Sequence, residues 1–358
     1  MGRARLRDLG ITIGRFPTGR YNAITDVPGV TVGHRTLIYD QPSVARTGVT
    51  AIFPRGESSR QDFCFAGWHS LNGCGEMTGL LWVDDSGMLM SPIGLTNTAQ
   101  VGLVRDAITQ YALEKYAGAG YWLPVAGETW DGWLNDTSAY PITKEDVYAA
   151  LDAAASGPVA EGNVGGGTGM ICHDFKGGIG TSSRLVALKE STYVLGVLVQ
   201  ANYGDRHLLR VDGVPVGRTI GPDVAPLPWT QPPLSSSILV IIATDAPLMP
   251  TQCRRLAQRA TVGLARVGGY GDSFSGDIFL AFATGSHLAR SGDGPQSVQV
   301  LSPGDMGPFF EATAEAVEES ILNALVAAET MTGYMGHTAY ALPLDELRRV
   351  MALYRPKL

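Results

Sequence analysis

Apolar and polar positions alternate along this chain in two rhythms. Val30 to Leu37 and Gly48 to Pro54 are rich in β-branched residues and bounded by turn formers, which predicts two early strands, and Met88 to Thr98 is a mixed run of apolar and small residues. From Ala99 to Tyr116 the spacing changes, because Val101, Val104, Ile108, Tyr111 and Ala112 recur with the helical period. A second helix is predicted over Thr143 to Ala155, which opens on Thr143 and carries Glu145 and Asp146 in its first turn.

Tyr193 to Gln200, Ile238 to Thr244 and Asp277 to Ala283 are near-continuous apolar runs of strand length, as expected for a central sheet covered on both faces. Thr251 to Arg266 and Phe309 to Thr330 return to the helical period. The latter sets Phe310, Ala314, Val317, Ile321, Leu325 and Ala328 on one stripe. Strands and helices in this mixed order predict a layered α+β or sandwiched α/β/β/α architecture, not a regular βαβ array, in one domain over residues 1–358 with no 20 to 50 residue repeat. The one linker-like stretch is Arg210 to Ser236, with six prolines between Pro215 and Pro233. Its composition predicts a surface loop and a natural place for a chain break.

Composition narrows the class. At 358 residues, 45% hydrophobic and 17% charged, the chain has the means for a substantial core. A net charge of −7 argues against nucleic acid, whose phosphates require a basic face. The basic start Met1 to Asp8 runs into Gly10 to Pro17 without the apolar core of a signal peptide, and no stretch has the ~20 apolar residues of a membrane span, so a cytoplasmic location is expected. Cys64, Cys74, Cys172 and Cys253 lack paired spacing and read as buried thiols, with no metal or cofactor expected. The 45 glycines cluster at Gly162–Gly180 and Gly268–Gly276; the first cluster lacks both the P-loop and the dinucleotide signature and reads either as tight turns and close packing or as an active-site wall.

Ser235, Ser236 and Ser237 stand immediately before the apolar run Ile238 to Asp245. Either they cap a strand, or one of them is a nucleophile. A Ser-His-Asp triad needs a partnered histidine, yet no Gly-x-Ser-x-Gly elbow accompanies His34, His69, His173, His207, His287 or His337. An α-amine freed by a chain break is an alternative base, since it titrates near ~7.7–8.0. Ser273 to Asp277 begins the next apolar strand, and alternation puts Ser275 and Asp277 on one face, where they could orient a hydroxyl or an amine.

These residues resemble the self-processing aminopeptidases that include the L-aminopeptidase D-amidase/D-esterase and the β-peptidyl aminopeptidases (peptidase family S58). The likeness extends from Gly14 to about His337 and is carried by Thr25–His34, Glu128–Gly132, the Gly162 to Arg184 segment, Val199–Gly204, Ala243–Leu248 and Ser275–Phe282. It implies an α/β/β/α sandwich like that of N-terminal nucleophile hydrolases with different connectivity, cut before the nucleophile into residues 1–236 and 237–358. By the resemblance Ser237 is the nucleophile, Ser275 and Asp277 support its hydroxyl and new amine, and Asn202 supplies the oxyanion hole. Glu128 holds the substrate's amine, Trp130 and Trp133 line the pocket, and Tyr140 is the candidate for an oxyanion-hole tyrosine. The family has glycine before the nucleophile where this chain has Ser236, so the expected bond is Ser236–Ser237, with Ser235–Ser236 as second choice.

The function implied is release of N-terminal residues from short peptides, amides or esters through an acyl-enzyme, by a homotetramer of processed protomers without nucleic-acid or membrane partners. Two alternatives stay open: an acyltransferase of the ornithine acetyltransferase type, and a binding protein that kept the fold without self-cleavage.

Overall fold

The computed structural model describes residues 4–116, 123–232, 236–289 and 294–354. Two sheets face each other. The smaller has the order β1-β2-β5-β6, built from Thr31–Tyr39, Ala45–Phe53, Ile93–Asn97 and Val125–Thr129. The larger has the order β4-β3-β12-β11-β10-β9, in which β3 is Asp62–Gly73, β4 Met88–Leu89, β9 Gly178–Ala187, β10 Thr192–Asn202, β11 Ser236–Thr244 and β12 Ser275–Ala289. A small hairpin, β7 (Ile171–Cys172) and β8 (Phe175–Lys176), leads into β9. The helices are α1 (Leu80–Ser86), α2 (Val101–Lys115), α3 (Lys144–Asp152), α4 (Val216–Thr219), α5 (Pro250–Val267), α6 (Met306–Ala327) and α7 (Leu344–Tyr354). Neighbouring strands in the two sheets are antiparallel except for β5–β6 and β11–β12. Those two pairs are the ones joined through helices, α2 and α5, because a parallel connection must cross over a face of the sheet.

Three apolar layers hold this arrangement together. Leu37, Val49 and Ala51 of the small sheet pack on Val104 and Ile108 of α2 and Val147 and Leu151 of α3. Between the sheets, Ile52, Ile93 and Leu95 meet Leu198, Leu239, Ile241 and Phe282. On the far side Val197, Ile238, Val240 and Phe279 pack on Leu256 and Ala260 of α5 and Val317 and Ile321 of α6. The result is the expected α/β/β/α sandwich. The central strands are buried on both faces, which is why Ile238 to Thr244 reads as an unbroken apolar run. No helix among the described residues is long and apolar enough to cross a membrane.

The capping of α3 follows its sequence signature, with the Thr143 hydroxyl accepting from the Asp146 N–H while Asp146 accepts from the Thr143 N–H. The glycine-rich stretch after Gly162 is not turn throughout, since its last residues, from Gly178, open β9. Its glycines serve close packing: a Cβ on Gly180 would lie 1.9 Å from the Ser320 carbonyl oxygen of α6. The proline-rich segment is also not simply a surface loop. Val211 and Val214 bridge each other, α4 comes next, and Leu209, Val211, Val216 and Ile220 are fully buried, because apolar residues between the prolines have a sheet-and-helix core to enter.

The packing at Gly180 makes a sharp contrast with a helix glycine that touches nothing. Gly180→Ala is expected to lower stability by about 2–3 kcal/mol through backbone displacement of α6. Gly102→Ala, in α2 where no atom lies within 4 Å of the new methyl, is expected to raise it by up to about 1 kcal/mol. Calorimetric melting of the two variants beside wild type checks both signs.

Candidate active site

The site forms where three strands of the large sheet end together. β11 begins at Ser236 and pairs in parallel with β12, so that Ser236 lies beside Ser275, Ser237 beside Gly276 and Ile238 beside Asp277. On its other side Ser237 lies opposite Asn202, the last residue of β10. Paired residues project to the same face. Ser237, Gly276 and Asn202 therefore share the face that also carries Leu198 and Leu239 toward the small sheet, whereas Ser236, Ser275 and Asp277 share the helix-covered face of Ile238 and Phe279.

This alternation decides the contacts. The Ser237 hydroxyl donates to the carbonyl oxygen of Ser236 at 2.5 Å and accepts from the Gly276 N–H at 3.3 Å. Ser275 donates its hydroxyl proton to Asp277 Oδ1 at 2.6 Å, and its Oγ lies 3.3 Å from the hydroxyl of Ser236. In the continuous chain the Ser275–Asp277 pair thus reaches the side chain of Ser236. The period of two allows nothing else while the Ser236–Ser237 bond is intact. Ser235, the other half of the second-choice bond, lies outside the described residues.

Glycine at 276 is required by space. A Cβ there would lie 2.7 Å from both the Cys74 carbonyl oxygen and the Gly75 Cα, so only glycine lets that turn close over the strand beside Ser237. Asn202 is oriented by its backbone neighbour: the Ile171 N–H donates to its Oδ1 at 2.8 Å, which leaves the amide N–H₂ as the free end. Asn202 is part of the wall of a cavity of about 180 Å³.

That cavity brings together Asn202, Ser236, Ser275, Asp277, Trp130 and Trp133. Trp133 stacks on His337 at 3.8 Å between ring centres and meets Trp229 edge-on, so its ring is held from two sides. Glu128 lies elsewhere. It is buried in β6, accepts from the Glu76 N–H at 2.8 Å and from the Thr98 hydroxyl, and lies beside Gly75, outside the cavity wall. Tyr140 is 61% exposed and also lies outside that wall; its left-handed backbone (φ 47°) ends a short turn at the surface. Two tyrosines do line the cavity, Tyr203, next to Asn202 in the Val199–Gly204 motif, and Tyr270, together with Asp174, Asp205 and Asp272, none of which stood out in the sequence. Proximity to Asn202 was the one local signal for Tyr203; the others come from three separate loops.

Electrostatics at the strand ends follows burial. Asp277 is pushed up to about 6 by removal from water, opposed by its hydrogen bonds from the Ser275 hydroxyl and the Ile238 N–H. Burial likewise raises the Glu128 carboxyl. Burial lowers His173 to about 4, so the imidazole within the glycine-rich segment is neutral; its Nδ1 hydrogen-bonds the Asp205 carbonyl oxygen, and the ring does not line the cavity. Among the described residues no cluster of three or more metal-ligating side chains occurs.

Residues 22–339 match the model of "Peptidase family S58". The chain belongs to that family. It is 45% identical to the β-peptidyl aminopeptidase BapA of Sphingosinicella microcystinivorans, over 98% of this chain and 92% of the relative. The same-named protein of Sphingosinicella xenopeptidilytica is 44% identical over 99% and 92%. Among solved structures, a β-aminopeptidase of Burkholderia sp. superposes with a TM-score of 0.92 at 50% identity, covering 98% of this chain and 99% of that one. The L-aminopeptidase D-Ala-esterase/amidase of Ochrobactrum anthropi, described as a prototype serine aminopeptidase with a variant of the Ntn hydrolase fold, gives 0.92 at 42% identity over 98% of both. This S58 protein is accordingly a hydrolase, an aminopeptidase of the N-terminal nucleophile type, and neither the acyltransferase nor the non-catalytic alternative is favoured.

The raised Asp277 carboxyl makes the stability of this enzyme depend on pH. The folded state holds the proton more tightly than an unfolded Asp near ~3.9, so ionisation removes stability as pH rises from about 4 to about 6, and the loss is complete above that. Asp277→Asn, made in an uncleaved Ser237→Ala background, is expected to melt a few degrees higher than its parent at pH 7.5. Thermal melts from pH 7.5 down to 4 should show that gap closing.

Proposed function

We propose that the enzyme matures by attack of Ser237 on its own preceding peptide bond, giving residues 1–236 and 237–358 as separate chains, and that the new N-terminal serine then releases N-terminal residues from short peptides, amides or esters. One observation carries the reading: the Ser237 hydroxyl rests on the carbonyl of Ser236, at the head of a rigid strand, with the Gly276 N–H behind it. Attack of Oγ on the Ser236 carbonyl carbon forms an ester as the C–N bond breaks. The hydroxyl proton passes to the departing nitrogen, which becomes the α-amine, and water hydrolyses the ester to leave Ser236 as a carboxylate.

In the mature enzyme that amine, neutral near ~8, takes the Ser237 proton during attack on substrate and returns it to the leaving amine. Asn202, its Oδ1 occupied by Ile171, presents N–H to charge developing on the substrate carbonyl; one such donor is worth about 3–4 kcal/mol. Cleavage also removes the constraint that tied Ser237 to Ser236. The Ser275–Asp277 pair, left without its Ser236 neighbour, then faces the end of the strand where the amine is released. Glu128, buried beside Gly75, is the carboxylate assigned to the substrate's ammonium, and Trp130 and Trp133 form a wall against its carbon skeleton. A tetramer of processed protomers is part of this reading and rests on the family resemblance alone.

Wild type is expected to run on a denaturing gel as two bands, and intact mass should place the break between Ser236 and Ser237. Ser237→Ala should run as one band near 37.9 kDa. It should also lose aminopeptidase activity by at least ~10³-fold. A variant that still splits at the same bond and hydrolyses amino-acid anilides would sink the assignment.

A further inference from the structure

The cavity beside Ser236 and Ser275 is acidic in a way that the cleavage chemistry does not use. Asp174, Asp205 and Asp272 stand around it with Asp277, and no lysine, arginine or histidine is part of its described wall. Of these, Asp174 is the one held against an arginine among the described residues. The backbone N–H of Arg206 donates to Asp174 Oδ2 at 2.9 Å, and the Arg206 guanidinium lies over Phe175 with its centre 3.9 Å from the ring centre, hydrogen-bonded to backbone carbonyls of residues 174 and 225.

The remaining carboxylates act on one another's surroundings. Burial first, then Asp205 and Asp272, push the Tyr270 phenol up, and Asp272 adds to the burial that raises Asp277, so these groups converge on one space. Asp272 accepts from the Phe274 N–H at 3.1 Å and from the Tyr270 hydroxyl at 3.2 Å, which still leaves acceptor capacity on both oxygens.

An independent observation comes from Tyr203. Its side chain is part of the same wall and only 5% exposed, and its hydroxyl is buried with no hydrogen-bond partner among the described residues. Burial, followed by the nearby Cys172 and Asp277, holds that phenol neutral far into the alkaline range. An unpaired buried hydroxyl is unfavourable, and an occupant with N–H donors, seated against Tyr203 in this wall, is the kind of group that satisfies it. Trp130 and Trp133 are part of the same wall, and aromatic lining favours an organic cation over a metal ion.

The size limits the occupant. About 180 Å³ is below the ~300–1,000 Å³ of sites for drug-sized ligands, so the space suits one side chain. An aminopeptidase places a single residue on the acyl side of the bond it cuts. We infer that this cavity is the specificity pocket for a cationic side chain, ammonium or guanidinium, on the N-terminal residue of the substrate, with Asp205 and Asp272 as the residues that select it. This rests on the aminopeptidase reading above but concerns the side chain, not the N-terminal amine that every substrate carries.

The test compares lysine with its neutral, near-isosteric counterpart norleucine. For the processed enzyme, kcat/KM for lysine p-nitroanilide should exceed that for norleucine p-nitroanilide by roughly 10-fold at low salt, and the ratio should fall toward one near 1 M NaCl, where the screening length is about 3 Å. The Asp205→Asn/Asp272→Asn double variant should bring the ratio to about one even at low salt. A second readout needs no catalysis: because the cavity exists in the continuous chain, uncleaved Ser237→Ala should bind lysinamide about 10-fold more tightly than norleucinamide, followed by tryptophan fluorescence. If that binding preference is present but the processed protein hydrolyses neither anilide, the aminopeptidase mechanism fails and the pocket assignment stands. Equal binding of the two amides, equal turnover of the two anilides, or a lysine preference that survives the double variant overturns the inference.

Discussion

The pairing of β11 between β10 and β12 is the constraint on which everything at the site depends. It places Ser237 between Asn202 and Gly276, and it places Ser236 beside Ser275. Since side chains alternate, a slip of one residue in this register would exchange the two serines, moving Ser237 to the helix-covered face and burying Ser236 between the sheets. The rest of β11 pins the register. Ile238, Val240 and Ile242 fit one core, while Leu239, Ile241 and Ala243 fit the other, and all six are fully buried. At roughly 1.5–3 kcal/mol for each large side chain, a slipped strand is excluded energetically.

The same register holds the Ser237 hydroxyl on the Ser236 carbonyl, and Gly276 brings its N–H to that hydroxyl because nothing larger fits under Cys74 and Gly75. The arrangement is unfavourable for the carboxylates nearby. Asp277 and Glu128 are both buried and both raised, and each is stabilised only by local N–H and O–H donors, with no cationic partner among its described hydrogen bonds. Stability lost at the strand ends is offset by the two-sided burial of the central strands.

Much of the layered architecture was legible in the chain because burial leaves a periodic trace. The long helices and the apolar strands lie within a few residues of their expected bounds, for instance α5 at Pro250–Val267 and β11 at Ser236–Thr244. β3 was not legible: it mixes Phe63, Cys64 and Phe65 with Trp68, His69, Ser70 and Asn72, and neither a clean alternation nor an apolar run emerges. β9 was hidden by its glycines, since the positions that let α6 approach its backbone carry no side chain to reveal a strand. Arg184, in the middle of β9, is completely buried against Glu315 and Glu319 of α6, a pairing that no local pattern announces.

The sequence by itself determined the long helices, the apolar central strands, the motif-bearing strand ends and the family, because these depend on residue order and on local periodicity. It also placed Ser237 at the head of a buried strand, and Ser275 and Asp277 on one face of the next apolar strand. Only the tertiary structure decided which of these touch. Strand pairing turned the hydroxyls of Ser236 and Ser237 to opposite faces, set Tyr140 at the surface and Tyr203 in the cavity, and drew Asp174, Asp205 and Asp272 from separate loops to one wall. Contacts between segments far apart in the chain depend on register and on packing across layers, and neither leaves a mark in the spacing of residues along a single strand.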